Sequence, residues 1–279
     1  MTALQRLLRR VRRHSIQISL LVLISVWVLT PYYFLIVESF TPGGTSVEGF
    51  RLPSFTTLSN YEDVIGGVNA IWEPLLHSAI VAVGATLIAM SLATPAAYGL
   101  SRLRRHRTAR WAYLLFFILR GVPPVTLVIP YYLMLSGAHL LDSLAGLTIA
   151  LVPLALPFAV WTLRVFFDAI PEELEDAARV DGATALQRFL LVILPTVRQG
   201  IAATSVLAAL LVYVDYILAA TLTGPSSMTY AVYVTSFRQD YVTLVGPLAA
   251  ATLIGTVPMI VLYSFSQRYM QRMAIAGIH

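Results

Sequence analysis

Six apolar runs, separated by polar segments, organise this chain of 279 residues. A helix needs about 20 apolar residues to cross the hydrocarbon core of a bilayer, because each residue rises about 1.5 Å. The first run is longer than a signal-peptide core and no cleavage site follows it, so we expect it to be retained. The predicted spans are Ile16–Val37, Leu75–Leu100, Trp111–Leu135, Leu144–Phe167, Ile201–Thr223 and Val245–Ser266. The pattern therefore predicts an all-α, polytopic membrane protein with six transmembrane helices.

These runs predict a short basic N-terminus, 1–15, followed by one transmembrane domain, 16–279. The expected parts of the domain are a first helix at 16–37, an outer segment at 38–74, core helices at 75–266 that include a charged loop at 171–195, and a tail at 267–279.

Arginine placement predicts the orientation, because cytoplasmic loops carry an excess of positive residues. Five arginines lie within 6–13, five lie within 102–110, and Arg268 and Arg272 follow the last span. The segment 38–74 instead carries five acidic residues and a single arginine. Both termini and the loop at 171–195 are therefore predicted to be cytoplasmic.

Composition limits the chemistry that the chain can carry. Only 12% of its residues are charged and 58% are hydrophobic, whereas a soluble domain is about 25% charged. Cysteine is absent, which excludes disulfides and thiolate metal sites. Lysine is also absent, and a Walker A phosphate loop requires one. We therefore expect no catalytic site or cofactor in this chain, and any ATP and magnesium to be bound by a partner.

The net charge of +5 does not call for a nucleic-acid partner. Arginines that flank membrane spans interact with anionic lipid headgroups, and this accounts for the positive balance. Three of the five histidines, His77, His106 and His139, are scattered without the paired spacing of a metal site, so no metal site is predicted.

The charged loop at 171–195 carries the signals of two short helices around a sharp turn. Pro171 suits the first helical turn, Gly182 suits a left-handed helix end, and Thr184 with Gln187 forms a capping-box pattern. Pro195 is predicted to close the second helix. The first helix presents a stripe of small residues, beside which Glu175, Asp176 and Arg179 add polar specificity. Such a surface suits docking of another protein, although an ordinary amphipathic interfacial linker gives a similar pattern.

The run DAARVDGATALQRFLLVILP resembles the EAA loop of bacterial ABC-importer permeases. In that family the loop is the coupling helix that docks into a cleft of the ATP-binding cassette subunit. Asp176 stands where the pattern has Glu, Val192 where it has Ile, and Gln199 where a proline is common. The resemblance implies coupling contacts for Glu172, Glu175, Asp176, Ala177, Ala178, Arg179, Asp181, Gly182 and Ala183.

Other motifs extend the resemblance to the carbohydrate branch, the maltose-type second permease subunit. They are PYYFLIVESFTP at 31–42, SNYEDVI at 59–65, AAYGLSRLR at 96–104 and QRYMQRMAIAG at 267–277. Met273 replaces a usual glycine, which leaves open whether the tail contacts the ATPase dimer.

The resemblance implies a heteromeric complex in the bacterial inner membrane. Its expected partners are a second permease subunit, two ATP-binding cassette subunits, membrane lipid, and an extracellular solute-binding protein that touches outer loops including Glu48–Ala70. ATP hydrolysis in the cassette subunits is expected to drive alternating access. The expected cargo is a carbohydrate, most simply a neutral disaccharide, with a phosphorylated polyol as an alternative.

Polar residues within the predicted spans are candidates for the substrate pathway, because ionisable groups are costly in a membrane. Arg120 lies nine residues into the third span, just before a Gly-Val-Pro-Pro break, and Asp215 lies in the fifth between Tyr213 and Tyr216. We expect Arg120 and Asp215 either to pair or to face the cavity together. Tyr213–Asp215 is similar to a WND motif of the family, with Tyr for Trp and Val214 for Asn. A structural ion pair is the alternative for Arg120.

An ion-coupled secondary transporter is the alternative function. Such transporters place several carboxylates or broken helices at matching positions of two repeats, and the sequence shows no repeat. A membrane enzyme is disfavoured because no catalytic constellation is present.

Overall fold

The computed structural model describes residues 3–42, 57–67, 69–103, 106–238 and 244–276. Helices dominate these residues. In chain order they are α1 Ala3–Ser39, α2 Ser59–Gly66, α3 Trp72–Arg102, α4 Arg107–Arg120, α5 Pro124–Gly137, α6 Leu144–Asp168, α7 Glu172–Val180, α8 Ala185–Gln187, α9 Leu194–Tyr213, α10 Ile217–Leu222, α11 Tyr230–Ser236 and α12 Val245–Ala276, with a π-helical segment at Arg188–Ile193 between α8 and α9. Much of the predicted outer segment and the last three residues of the tail lie outside the described residues.

Within the described ranges, five helical stretches are long and apolar enough to cross a membrane, and a bent pair makes a sixth when counted as one span. The pair is α4 and α5, which meet at 93°. The predicted third span is therefore broken at 121–123. Pro123 has no backbone N–H and disfavours the helical conformation in the residue before it, so the helix stops there.

The fifth span differs from the prediction. It runs from Ala185 to Tyr213 instead of Ile201–Thr223. Pro195 does not close the preceding helix, because the chain passes from α8 through the π-helical segment into α9 without leaving a helical path. Pro195 lies in the first turn of α9, where a missing N–H is tolerated.

Contacts divide the chain into two units, one formed by 71–235 with 255–279 and the other by 1–70 with 236–254. In the larger unit, α3 packs most extensively against α6, and both pack against α9. A stripe of alanines at every fourth position of α3 allows this close approach. Its fully buried members are Ala85, Ala89, Ala93 and Ala97. A Cβ on Gly200 of α9 would meet the Phe166 ring of α6 at 2.6 Å, so these helices also need a small residue.

In the smaller unit, α2 fastens the end of α1. The Asn60 side chain donates hydrogen bonds to the carbonyl oxygens of Ser39 and Thr41, both at 3.0 Å. The Tyr61 hydroxyl donates to Ser39 Oγ at 2.9 Å. The Asn-Tyr segment that carried part of the family resemblance therefore satisfies carbonyl groups left unpaired at a helix end.

Candidate functional site

The charged loop folds as predicted at its turn. Gly182 has a φ of +84°, a conformation that glycine adopts without a steric cost. The Ala183 N–H donates to the Ala178 carbonyl at 3.0 Å and the Gly182 N–H donates to the Arg179 carbonyl at 3.1 Å, which ends α7. These bonds satisfy the last carbonyls of α7 and fix the direction in which the chain leaves it.

A capping box starts the second helical piece. The Gln187 N–H donates to Thr184 Oγ1 at 3.3 Å, and the Thr184 N–H donates to Gln187 Oε1 at 2.8 Å. Arg188 adds a bond from Nη1 to the Ala183 carbonyl at 2.9 Å. Both sides of the turn are thereby held by local hydrogen bonds, which is why this geometry was readable from sequence.

Most of the predicted coupling residues lie on an outward surface of the loop. Asp176 Oδ1 accepts from Arg179 Nη1 at 3.1 Å, and both side chains are 63% exposed. The exposed residues of the set are Glu172, Asp176, Ala177, Arg179, Asp181 and Gly182, and the half-buried ones are Ala178 and Ala183. This outward surface combines small side chains with three acidic groups and one basic group, so another protein can approach it closely.

Glu175 is the exception, because it faces the interior of the chain and is only 7% exposed. Its Oε1 accepts from Arg102 Nε at 2.5 Å, and its Oε2 accepts from the Tyr98 hydroxyl at 2.8 Å. Arg102 Nη1 also donates to the Phe167 carbonyl at 3.3 Å. Glu175 therefore ties α7 to the ends of α3 and α6, whereas the sequence had assigned it to the docking surface.

Aromatic rings enclose this ion pair. The Tyr98 ring lies 5.7 Å from the Phe167 ring and 5.0 Å from the Phe189 ring, and the Arg102 guanidinium lies 5.7 Å from the Tyr98 centroid. Two guanidinium nitrogens here, Arg102 Nη2 and Arg188 Nε, are buried and have no hydrogen-bond partner in the part of the chain that the structure describes. The Glu175–Arg102 ion pair is therefore bordered by aromatic rings, and two guanidinium nitrogens beside it lack a hydrogen-bond acceptor.

Arg120 lies at the end of α4, at the break between α4 and α5. Its guanidinium lies 4.8 Å from the Trp161 ring centroid and 5.5 Å from the Phe158 centroid, in a cation–π arrangement. The side chain is exposed and lines a small cleft with Tyr131 and Pro153. An exposed cation beside two aromatic rings is able to contact both the hydroxyls and the apolar face of a sugar.

Arg120 and Asp215 do not form the pair that is the first of the two arrangements expected for them. Asp215 Oδ2 instead accepts from the N–H groups of Leu218 and Ala219, at 3.1 and 3.3 Å, and so caps the short helix α10. The reason is that α9 ends at Tyr213, so Asp215 lies in the break between two helices, where free N–H groups need an acceptor.

Of the two tyrosines, Tyr216 is 45% exposed and Tyr213 is 6% exposed. The Tyr213 hydroxyl donates to the Gly255 carbonyl at 3.2 Å, and its ring stacks on Tyr230 at 5.6 Å. A Cβ on Gly255 would meet the Tyr230 ring at 1.9 Å. Tyr213 therefore packs against α11 and α12, and sequence reasoning missed its contacts with Tyr230 and Gly255.

A second carboxylate anchor, at Asp142, was also missed by sequence reasoning. Asp142 Oδ1 accepts from the Gly224 N–H and the Ser227 hydroxyl, both at 2.7 Å, and Oδ2 accepts from the Ser226 N–H at 3.3 Å. Partial burial raises the pKa of Asp142, but these hydrogen bonds outweigh it and hold the pKa below its ordinary value. Asp142 thus fastens the α5–α6 connection to the α10–α11 connection. Within the described residues, no three His, Asp or Glu side chains converge as metal ligands would.

Comparison with known proteins identifies the class. The family described as binding-protein-dependent transport system inner membrane component matches residues 85–275. The trehalose transport system permease protein SugB of Mycobacterium tuberculosis is 31% identical, over 87% of this chain and 89% of the relative. The chain belongs to this family of transporter permeases and is a multi-pass inner-membrane protein. Membership supports the importer interpretation and not the ion-coupled alternative.

A further relative and a solved structure are also similar to this chain. The diacetylchitobiose uptake system permease protein DasC of Streptomyces coelicolor is 28% identical, over 92% of each chain. A crystal structure of a bacterial ABC transporter involved in the import of the acidic polysaccharide alginate matches with a TM-score of 0.74 at 21% identity. That match covers 96% of this chain and 98% of the other, so the two share a fold along nearly their whole length.

Proposed function

We propose that this chain is one of two permease subunits of an ATP-binding cassette importer that carries a di- or oligosaccharide into the cytoplasm. The observation that carries the proposal is the family match over 85–275, which includes the whole charged loop. A second permease, two cassette subunits that bind ATP and magnesium, and an extracellular solute-binding protein complete the assembly. The chain contributes the membrane route and no ATPase site of its own.

The outward surface of α7 and its turn is the docking surface for a cassette subunit. Ala177 and Ala178 allow a groove to close around the helix, and the exposed Asp176–Arg179 pair supplies polar contacts. Gly182 and the Thr184–Gln187 box hold the shape of this surface before docking, which reduces the entropy lost on binding. Closure of the cassette dimer then displaces α7 and switches the side on which the route is open.

A carbohydrate cargo is supported by relatives named for trehalose, diacetylchitobiose and maltodextrin. Exposed Arg120 and Tyr216 supply a hydrogen-bond donor and an aromatic ring, and sugar-binding sites combine groups of these two kinds. Tyr213 donates its hydroxyl to the Gly255 carbonyl and Asp215 caps α10 through Oδ2, so both side chains hold the surrounding backbone.

The test is uptake by the complete complex in proteoliposomes. The chain is reconstituted with its partner permease, cassette subunits and binding protein, and radiolabelled trehalose, diacetylchitobiose, a maltodextrin and a phosphorylated polyol are supplied. A cassette variant that binds ATP without hydrolysing it is the matched control. We expect uptake of a sugar with ATP and none with the control cassette.

Two results would overturn the proposal. Uptake driven by a proton or sodium gradient without ATP would make the chain a secondary transporter. ATP-driven uptake of the phosphorylated polyol and of no sugar would leave the assignment as an importer intact but would refute a neutral carbohydrate as the cargo.

A further inference from the structure

We propose that Glu175 transmits the displacement of α7 to α3 through its bonds to Arg102 and Tyr98. We call this contact of three side chains the joint. This assignment rests on the proposed function and adds to it a route for the motion. Glu175 is a positioning residue in this scheme, because it contacts neither cargo nor ATP.

The first support is the way α7 is attached. Along the chain it continues through the turn at Gly182, and its backbone packs chiefly against the π-helical segment. Its connection to α3 is made by the Glu175 side chain, which holds Arg102 at 2.5 Å and Tyr98 at 2.8 Å. One carboxylate thus links two helices through Glu175 and Arg102, which are 73 residues apart in the sequence.

The second support is that the end of α3, which Glu175 contacts, is held firmly by α6. Tyr98 and Arg102 are one turn apart on the last turns of α3, and Arg102 is also bonded to the Phe167 carbonyl of α6. Phe167 is fully buried, and α3 and α6 form the most extensive helix pair of this unit. A force applied to Arg102 is therefore carried by two packed helices rather than absorbed by a side chain.

The third support is room for movement beside the joint. A cleft of about 370 Å³ lies against Arg102 and is bordered by Asp168 and Pro171, at the connection that leads into α7. The unsatisfied Arg102 Nη2 and Arg188 Nε show that this arrangement leaves buried donors unused. Buried donors of this kind require an explanation, and a second arrangement of the connection before α7, with Glu175 still held by Arg102, provides one.

We assign the compliant route to the π-helical segment. A π-helix has wider turns with i to i+5 hydrogen bonds, and such segments are short and local within α-helices. Here it occupies six residues, Arg188–Ile193, between the turn and α9. Motion of α7 is thus absorbed on the α9 side and transmitted on the α3 side.

The experiment compares Glu175→Gln with Glu173→Gln in the reconstituted complex. Both changes remove one negative charge from α7, but Glu173 is exposed, whereas Glu175 is buried in the joint. Sugar taken up per ATP hydrolysed is measured for each, together with retention of the cassette subunits during purification. We expect the ratio to fall by about fivefold or more for Glu175→Gln, the lower range of coupling between sites, and to stay at the wild-type value for Glu173→Gln.

Tyr98→Phe is the second variant, because it removes one hydrogen bond and keeps the ring contacts and the ion pair. We expect an intermediate fall in the ratio with full retention of the cassette subunits. Equal ratios for wild type, Glu175→Gln and Tyr98→Phe would overturn the joint, and so would loss of cassette binding in both variants with an unchanged ratio in the remaining complex. Absence of uptake by the wild-type complex is a failure of the proposed function and is seen in every variant alike.

Discussion

The two ends of α6 are each fastened by one carboxylate, but the two carboxylates use different kinds of partner. Before α6, Asp142 accepts two backbone N–H groups and one hydroxyl, all neutral. After α6, Glu175 accepts from a guanidinium and a tyrosine hydroxyl carried by another helix. The 25 residues of α6 separate the two by about 37 Å.

The difference separates a fixed clamp from a joint. Backbone donors move only with the chain that carries them, so the Asp142 clamp holds two connections in one geometry. Side-chain donors reorient, and the Glu175 joint leaves two buried guanidinium nitrogens unsatisfied among the described residues. We therefore expect the first site to govern stability and the second to govern both stability and coupling.

The largest effect is expected for Glu175→Ala, which leaves Arg102 buried without its carboxylate. The two side chains are 9% and 17% exposed, and removing one partner of a buried pair costs about 3–5 kcal/mol. Unfolding of the detergent-solubilised complex by denaturant measures this loss. Glu173→Ala, on the same helix, should leave the free energy of unfolding close to wild type, and an equal loss in both would refute the buried pair.

A smaller effect is expected for Asp142→Ala. The change leaves the Gly224 and Ser226 N–H groups without their acceptor, and hydrogen bonds to a charged group contribute about 1.5–3 kcal/mol. The clamp is partly accessible to water, which replaces some of the lost bonds. Unfolding is again the measurement, and sugar uptake per ATP should remain at the wild-type ratio; a fall of that ratio would make Asp142 part of the coupling route.

The pH dependence of the clamp is the next effect in size. Because the pKa of Asp142 is lowered in the folded state, its stabilisation is complete above the ordinary pKa of an aspartate, about 3.9, and is lost as the pH falls through the lower folded-state value. The difference in unfolding free energy between wild type and Asp142→Asn should therefore shrink as the pH falls below about 4. A difference that is constant over this range would contradict the charged clamp.

The smallest effect is expected for Arg179→Gln on the docking surface. Asp176 and Arg179 are both 63% exposed, and exposed ion pairs contribute about 0.2–1 kcal/mol. Stability of the isolated chain should change little, while affinity for the cassette subunit should fall. Stability lowered as much as in Glu175→Ala would place this pair in the fold instead of the docking surface.

Local patterns were predictable from the sequence. Gly182, Thr184 and Gln187 act on neighbours within five residues, so their turn and capping box could be read directly. The apolar runs likewise gave most spans, since length and hydropathy decide whether a helix crosses a membrane.

Contacts between distant segments were not predictable in the same way. Glu175 finds Arg102 at a separation of 73 residues, and Asp142 finds Gly224 at 82 residues. Nothing in a single sequence pairs such groups, so Glu175 was placed with its outward neighbours. Pro195 was misread for another reason: the π-helical turn before it allows the helix to continue, and proline is the usual sign that a helix ends.

The most direct measurement is the distance between α3 and α7 in the working complex. The chain contains no cysteine, so cysteines introduced at the exposed positions Leu92 and Glu173 are its only thiols and accept two spin labels. Double electron–electron resonance then compares the nucleotide-free complex with the nucleotide-trapped one. If Glu175 joins α7 to α3, the distance stays constant between the two states in the otherwise wild-type chain and changes in Glu175→Gln. A distance that changes equally in both chains would contradict the joint.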